Sequence, residues 1–229
     1  MFLSRRATQA EYFDAPDRSV AEVSEGYRLL GRVNRVFRFA EPFQRWIPQL
    51  LGESKCRELT LLDLGAGDGS LGTELTAWAS SRGWNWRVTN LDLNPLALRI
   101  NPSARNVTGS ALDLPFQESS INVVIASQMT HHLGTDADVV RHFREAWRVS
   151  RNGVLVYDLH RSRLMYLAIW LFLHTWGFPA HFRSDGLLSV RRGWRVAEWQ
   201  ALAEQAGLPD ALVWREHRAR ILLRARKPA

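Results

Sequence analysis

The sequence predicts an α/β fold: a doubly wound, mostly parallel sheet of seven strands, with an antiparallel C-terminal hairpin and an N-terminal helical cap. Three observations carry this. Apolar runs that end in glycine or polar residues, such as LTLLDLG from Leu59, read as strands buried on both faces. These runs alternate with stretches of helical spacing, the pattern of parallel strands joined by crossover helices. Finally, the segments ALVWREHR and ARILLRAR lie too close together for a crossover, so they must pair antiparallel.

The elements follow in order. Residues 1 to 57 read as the helical cap, with Val20, Val23, Tyr27, Leu30 and Val33 as one stripe, Leu29 and Val36 beside it, and Phe43, Trp46, Ile47 and Leu50 as a second, broken at Glu41-Pro42. Residues 58–229 form the sheet domain. LTLLDLG is its first strand, and SLGTELTAWASSRG is the following helix, stopped by Gly83. NWRVTNLDLN is the second strand, LALRI starts a short helix, and NVTGSALDLPF holds a short third strand. INVVIASQ is the fourth. Thr135 to Asp138 has the spacing of a capping box for a helix buried through Val139, Val140, Phe143, Ala146 and Trp147. GVLVYDLH is the fifth strand, entered through an Asn152-Gly153 turn. An apolar insertion at 161–193 precedes the helix RVAEWQALAEQAGL, which Gly207 closes ahead of the terminal hairpin.

Composition narrows the function. The 229 residues suit one α/β domain and carry a net charge of +7. The basic residues are nearly all arginine and are dispersed, with Lys55 and Lys227 the only lysines, so a solvated basic surface is expected and no nucleic-acid partner. The single cysteine, Cys56, cannot form an internal disulfide, and the first residues lack the order of a secretory signal. A cytoplasmic protein is the expectation. The run LMYLAIWLFLHTWGF from Leu164 is shorter than the roughly 20 residues a bilayer span needs.

In an open parallel sheet, ligands bind beyond the carboxyl ends of the strands. Strand one ends in DLGAGDGS, where glycines at 65, 67 and 69 permit a tight turn and close approach of a ligand. Asp63 and Asp68 would repel a pyrophosphate and attract an ammonium group, and Ser70 stands where a dinucleotide fingerprint wants glycine. A nicotinamide-dependent oxidoreductase is disfavoured. Asp92 at the end of strand two is placed for the hydroxyls of a ribose. Asp113 can accept from an exocyclic amine, and the Leu114 N–H can donate to a ring nitrogen. Together they describe an adenosine with a cationic amino-acid tail.

With LLDLGAGDG, NLDLNP, ALDLPF, NVVIASQMTHHL and REAWRVSRNGVLVYDL in order from about residue 61 to 159, the sequence resembles the class I S-adenosylmethionine-dependent methyltransferases, which are Rossmann-like. Within them it is similar to the ubiquinone and menaquinone biosynthesis type. The resemblance implies that Gly65, Ala66 and Gly67 hold the methionine part of S-adenosyl-L-methionine, Asp92 the ribose, and Asp113 and Leu114 the adenine, with Leu93 a further cofactor-binding residue. It also implies that Ser127 and Gln128 line the sulfonium side. One departure is Asn152-Gly153, where such proteins usually have Pro-Gly.

The acceptor is less legible. SQMTHHL after strand four replaces the Asn/Asp-Pro-Pro-aromatic loop of enzymes that methylate planar nitrogens, so an oxygen or activated ring carbon of a phenol, quinol or polyketide-like molecule is favoured. Such a target calls for a base, and His131, His132 and His160 are candidates, each of which could instead serve only a helix entry. Asp158 could orient His160, bind substrate or cap a helix. Arg161, Tyr166 and Trp170 are further substrate candidates. No set of ligands at metal spacing is evident. The apolar run is hydrophobic nearly all round, so one side packs on the protein and the other is left for an apolar ligand, a second subunit as in a homodimer, or peripheral contact with a lipid surface, in that order of preference. The competing reading is a non-catalytic or membrane-associated partner that retains the fold.

Overall fold

The computed structural model describes residues 3–15, 17–101, 105–208, 210–216 and 220–228. Its sheet has seven strands: β1 (Glu58–Leu64), β2 (Asn85–Asp92), β3 (Asn106–Thr108), β4 (Ile121–Ser127), β5 (Ser150–Leu159), β6 (Leu212–Glu216) and β7 (Arg220–Arg226). Their spatial order is β3-β2-β1-β4-β5-β7-β6. β1 to β5 pair in parallel, whereas β7 runs antiparallel to both β5 and β6. The connection between β6 and β7, like the ends of both strands expected there, falls at residues 217–219, outside the described residues.

Alternation along the central strands builds two cores. Leu62, Leu64, Val124, Ala126, Val154 and Val156 face one side, while Leu61, Val123, Ile125, Leu155 and Tyr157 face the other. Helices α5 (Asp136–Val149) and α8 (Val196–Gln205) cover the first side through Phe143 and Trp199. Helices α2 (Glu41–Leu51) and α3 (Ser70–Ser81) cover the second through Phe43, Ile47 and Leu75. Burying each such side chain is worth about 1.5–3 kcal/mol, which is why continuous apolar runs make strands here despite having no polar face.

Several elements match the sequence reading in detail. Thr135 and Asp138 form the reciprocal cap of α5, and Gly83 takes a φ of +73° just past α3. Asn94 caps the short helix α4 (Pro95–Ile100) by accepting from the Leu96 N–H at 2.9 Å. Others differ. Residues 3–15 form a strap that turns at residues 3–4, runs extended and ends in a short 3-10 helix at Tyr12–Asp14, with no α-helix.

Helix α1 (Val20–Phe37) buries Val23, Leu29 and Val33 as expected, together with Gly26, while Val20 is 61% exposed. Gly26 belongs to that buried stripe because a Cβ there would meet the Phe13 ring at 2.8 Å. Asn152-Gly153 is not a turn before β5. It lies inside the strand at a register shift against β4, where a Cβ on Gly153 would meet the Ala225 carbonyl oxygen at 2.3 Å.

The insertion forms two helices, α6 (Arg163–Thr175) and α7 (Ala180–Arg192), the second without a counterpart in the expected elements. Met165, Ile169 and Leu173 of α6 pack with Leu29 and Val33 of α1 and with Phe178, Phe182 and Val190 in a third cluster. Among the described residues, no helix is long and apolar enough to cross a membrane.

Candidate active site

The carboxyl ends of β1, β2, β3 and β4 open into one cleft of about 590 Å³, roofed by α1 and the strap. The loop after β1 forms its floor. Gly65 and Ala66 donate their N–H groups to the Leu91 carbonyl at 2.8 and 3.1 Å, which ties this turn to β2. The Gly67 N–H donates to Asp92 Oδ2 at 2.7 Å, and the Asn94 N–H donates to Oδ1 at 2.8 Å. Gly65 and Gly67 have φ of +67° and +57°, and a Cβ on them would lie 2.1 Å from Met129 Cγ and 2.4 Å from Tyr27 Cε1. Only glycine fits either position.

Two carboxyls face this floor, Asp63 buried and Asp92 half-buried. Asp63 is 1% exposed, and its Oδ2 has no hydrogen-bond partner. Burial, with the charges of Asp92 and Asp68 added, pushes its carboxyl up to about 8. Burial also raises Asp92, against the pull of its backbone donors.

Ser127 and Gln128 line the cleft from the end of β4, and Leu93, 73% exposed, lies at its rim. Gln128 sits in the left-handed region at φ +57°, and its buried Nε2 has no partner.

The stretch after β3 corrects the sequence reading. Gly109, Ser110, Ala111 and Leu112 line the cleft. The Asp113 side chain is 83% exposed and 3.9 Å from Arg141, and it lines a shallower depression instead. The Leu114 N–H is already donated to Glu145 Oε2 at 2.9 Å. The first residues after the strand were the better signal, since a strand's own end marks the crevice.

The histidines separate into three environments. His132 lines the cleft, with Nδ1 2.8 Å from Asp14 Oδ1. Burial alone would depress its imidazole, but the Asp14 hydrogen bond and the charges of Glu11 and Asp14 outweigh that and raise it above 6.5. His131 is buried behind it, and the residue lining the cleft is its neighbour. Its Nδ1 lies 2.6 Å from Asp158 Oδ1, and its N–H donates to Oδ2 at 2.9 Å. Asp158 therefore orients His131, not His160.

His160 is outside the cleft lining, with its Nδ1 unpartnered, and is depressed by burial and by Arg215, Arg195 and Arg161. Arg161 is a buried tie that donates to the Leu3 and Gly193 carbonyls and to Glu198. Tyr166 and Trp170 lie on α6, likewise outside the lining, with Trp170 stacked on His174 at 4.6 Å.

Sequence reasoning missed the strap. Phe13, Asp14 and Ala15 of the strap line the cleft, with Arg18 just beyond it; of Tyr27, Asn34 and Arg35, the α1 residues the sequence offers for facing the cofactor, the first two line the cleft, whereas Arg35 is exposed and does not. Arg192 fastens the strap from α7: its guanidinium donates to Asp14 Oδ2 at 2.7 Å and to the His131 and His132 carbonyls. Among the described residues, Glu11, His131 and His132 bring donor atoms within 4.8 Å of one another, close enough that they could hold a metal ion. Arg192 lies 3.6 Å from Glu11 Oε1, and the Ser189 hydroxyl donates to the same oxygen at 2.8 Å. A fixed cation and a donor thus already serve that carboxylate.

A family model described as a methyltransferase domain matches residues 62–157, from β1 to β5. From β1 to β5 the chain is similar to methyltransferase domains, and its fold is that of the methyltransferase structures below. It is 32% identical over 108 residues to the demethylmenaquinone methyltransferase of Roseiflexus sp. (strain RS-1), a match covering 44% of this chain and 42% of that protein. The matched region thus spans less than half the length of that curated relative. Among solved structures, human N-acetylserotonin methyltransferase in complex with SAM superposes at TM-score 0.64 and 17% identity, covering 96% of this chain and 59% of that one. The methyltransferase in the Haloferax volcanii complex with the Trm112 activator superposes at 0.61 and 15% identity, covering 94% of this chain and 100% of that one.

The residues lining this cleft fit S-adenosyl-L-methionine in chemistry. An unsatisfied, deeply buried carboxyl oxygen on Asp63 calls for a donor, and the glycine floor leaves no side chain in the way.

Proposed function

We propose that this protein transfers a methyl group from S-adenosyl-L-methionine to an oxygen, or an activated ring carbon, of a hydrophobic phenol, quinol or polyketide-like molecule. The observation that supports it most is the His132–Asp14 pair on the wall of the same cleft as the glycine floor. The apolar lining from Phe13, Val23, Leu30, Met129 and Leu133 suits such an acceptor. The acceptors named for two similar proteins, demethylmenaquinone and N-acetylserotonin, are in keeping with a small molecule.

In this reading Gly65, Ala66 and Gly67 bound the methionine part and Asp63 takes its ammonium. Asp92 keeps lone pairs for the ribose hydroxyls, Leu93 and the Ser110–Leu112 stretch border the adenine, and Ser127 and Gln128 line the sulfonium side. When bound, the cofactor supplies a methyl group already activated on sulfur. The chain's own work is alignment and proton handling. In the tautomer that donates Nδ1–H to Asp14, His132 leaves Nε2 as the acceptor. That nitrogen takes the phenolic proton as the oxygen gains the methyl group and the carbon–sulfur bond breaks, and it later returns the proton to water. Asp14 stabilises the imidazolium formed.

Transfer of labelled methyl to a panel of phenols and quinols tests the reading. Product with several members is expected. Binding of S-adenosylhomocysteine by a folded protein that methylates none of them would move the chain to the non-catalytic alternative.

Asp63 gives a second test. A carboxyl held near 8 is mostly protonated at neutral pH, and a cation brought beside it lowers that value. Binding of S-adenosylhomocysteine near neutral pH is therefore expected to release protons, seen as calorimetric heats that vary with buffer ionisation enthalpy. Asp63→Asn should abolish the variation. Heats independent of buffer in the wild type would remove Asp63 from this role.

A further inference from the structure

Helix α6 carries a surface that the cleft does not use. Its inner stripe is buried, while Leu164, Leu167, Leu171 and Trp170 are 68, 61, 54 and 42% exposed, continued by Trp176 at 50%. The three leucines recur at three- and four-residue steps, so they share one outer face, with Trp170 beside it. Single exposed leucines are ordinary, but a contiguous row of large apolar side chains marks an interaction surface.

Charge selects the partner. Between Asp158 and Asp185 the sequence has no acidic residue, and it holds Arg163 at the start of α6 and Arg183 on α7. Arg32 of α1 adds a guanidinium 4.9 Å from the Phe178 ring at the end of the same layer. A second copy laid on this face would bring arginine against arginine, whereas an anionic headgroup layer neutralises them. Trp170 and Trp176 have the apolar body and polar N–H that favour the headgroup level.

We propose that the outer face of α6 docks this protein on the surface of an anionic lipid bilayer. At 13 residues the helix is too short to cross one, so it lies in the interfacial plane with its leucines inserted. Its inner stripe shares a cluster with Leu29 and Val33 of α1, and Tyr27, Leu30 and Asn34 of α1 line the cleft. The docked face is thus one helix away from the candidate active site, on the side from which a lipid-dissolved acceptor would arrive. Docking does not depend on the methyltransferase reading, and only the delivery of such an acceptor does.

Co-sedimentation with vesicles of phosphatidylglycerol and phosphatidylcholine, against pure phosphatidylcholine, tests it without any methyl acceptor. The wild type is expected to pellet with the anionic vesicles and to be released by salt. Leu167→Glu with Leu171→Glu should lower the partition at least tenfold while S-adenosylhomocysteine binding persists. Should that variant not fold, Arg163→Glu with Arg183→Glu should weaken binding to anionic vesicles and flatten its salt dependence. Wild type that stays in the supernatant with both vesicle types while binding S-adenosylhomocysteine would overturn the proposal. So would a dimer that the leucine substitutions abolish without changing vesicle binding, since the face would then belong to a second copy.

Discussion

Replacing His132 by glutamine is expected to slow methyl transfer by about 100- to 10,000-fold, the range for loss of a general base, with little change in S-adenosylhomocysteine affinity. The expectation has a pH signature. A base works unprotonated, and His132 is held above its ordinary 6.5, so kcat/KM should rise with pH along a limb centred above that value. Asp14 contributes both a hydrogen bond and a charge to that rise. Asp14→Asn should therefore move the limb to lower pH and reduce the plateau rate, whereas a purely structural role for Asp14 would leave the limb in place. A His132→Gln variant with wild-type turnover would remove the base from this mechanism.

The second large effect is on cofactor affinity. Asp92→Ala deletes the acceptor for the Gly67 and Asn94 N–H groups and the carboxylate offered to the ribose at once. Loss of one charge-assisted hydrogen bond, at about 1.5–3 kcal/mol, corresponds to a rise in Kd of roughly 10- to 150-fold. Calorimetric titration with S-adenosylhomocysteine reads it directly. Affinity equal to the wild type would mean that the ligand does not touch this strand end.

The frame of the fold was legible because strands buried on both faces must be apolar throughout, and the glycines at 65 and 67 have no substitute at their close approaches. The site was legible only where a strand end marks it. Asp113 looked suitable by type, yet the crevice is lined by Ser110 to Leu112, and residue type outweighed the nearness to the strand end that favours a serine three positions earlier. Asp14 and Arg192 escaped for a different reason. Asp14 lies 118 residues from His132 and 178 from Arg192, so their meeting is a product of tertiary packing and has no spacing to recognise. The strap itself has no periodicity, since its hydrogen bonds run to distant elements such as the Asp185 carboxylate.

The position of β7 bears on how the chain acquires this shape. Ile221, Leu222, Leu223 and Ala225 are fully buried and supply part of both cores, yet the strand is the most C-terminal one described and is laid between β5 and β6. During synthesis every described helix and the other six described strands are made before it. Until residue 226 is free, β5 presents a bare hydrogen-bonding edge and β6 has no neighbour to join. The emerging polypeptide thus passes through a stage with an open, apolar sheet margin, the kind of intermediate that chaperones hold. Closure of the domain becomes a late, long-range event, since β7 follows every other described element in the chain.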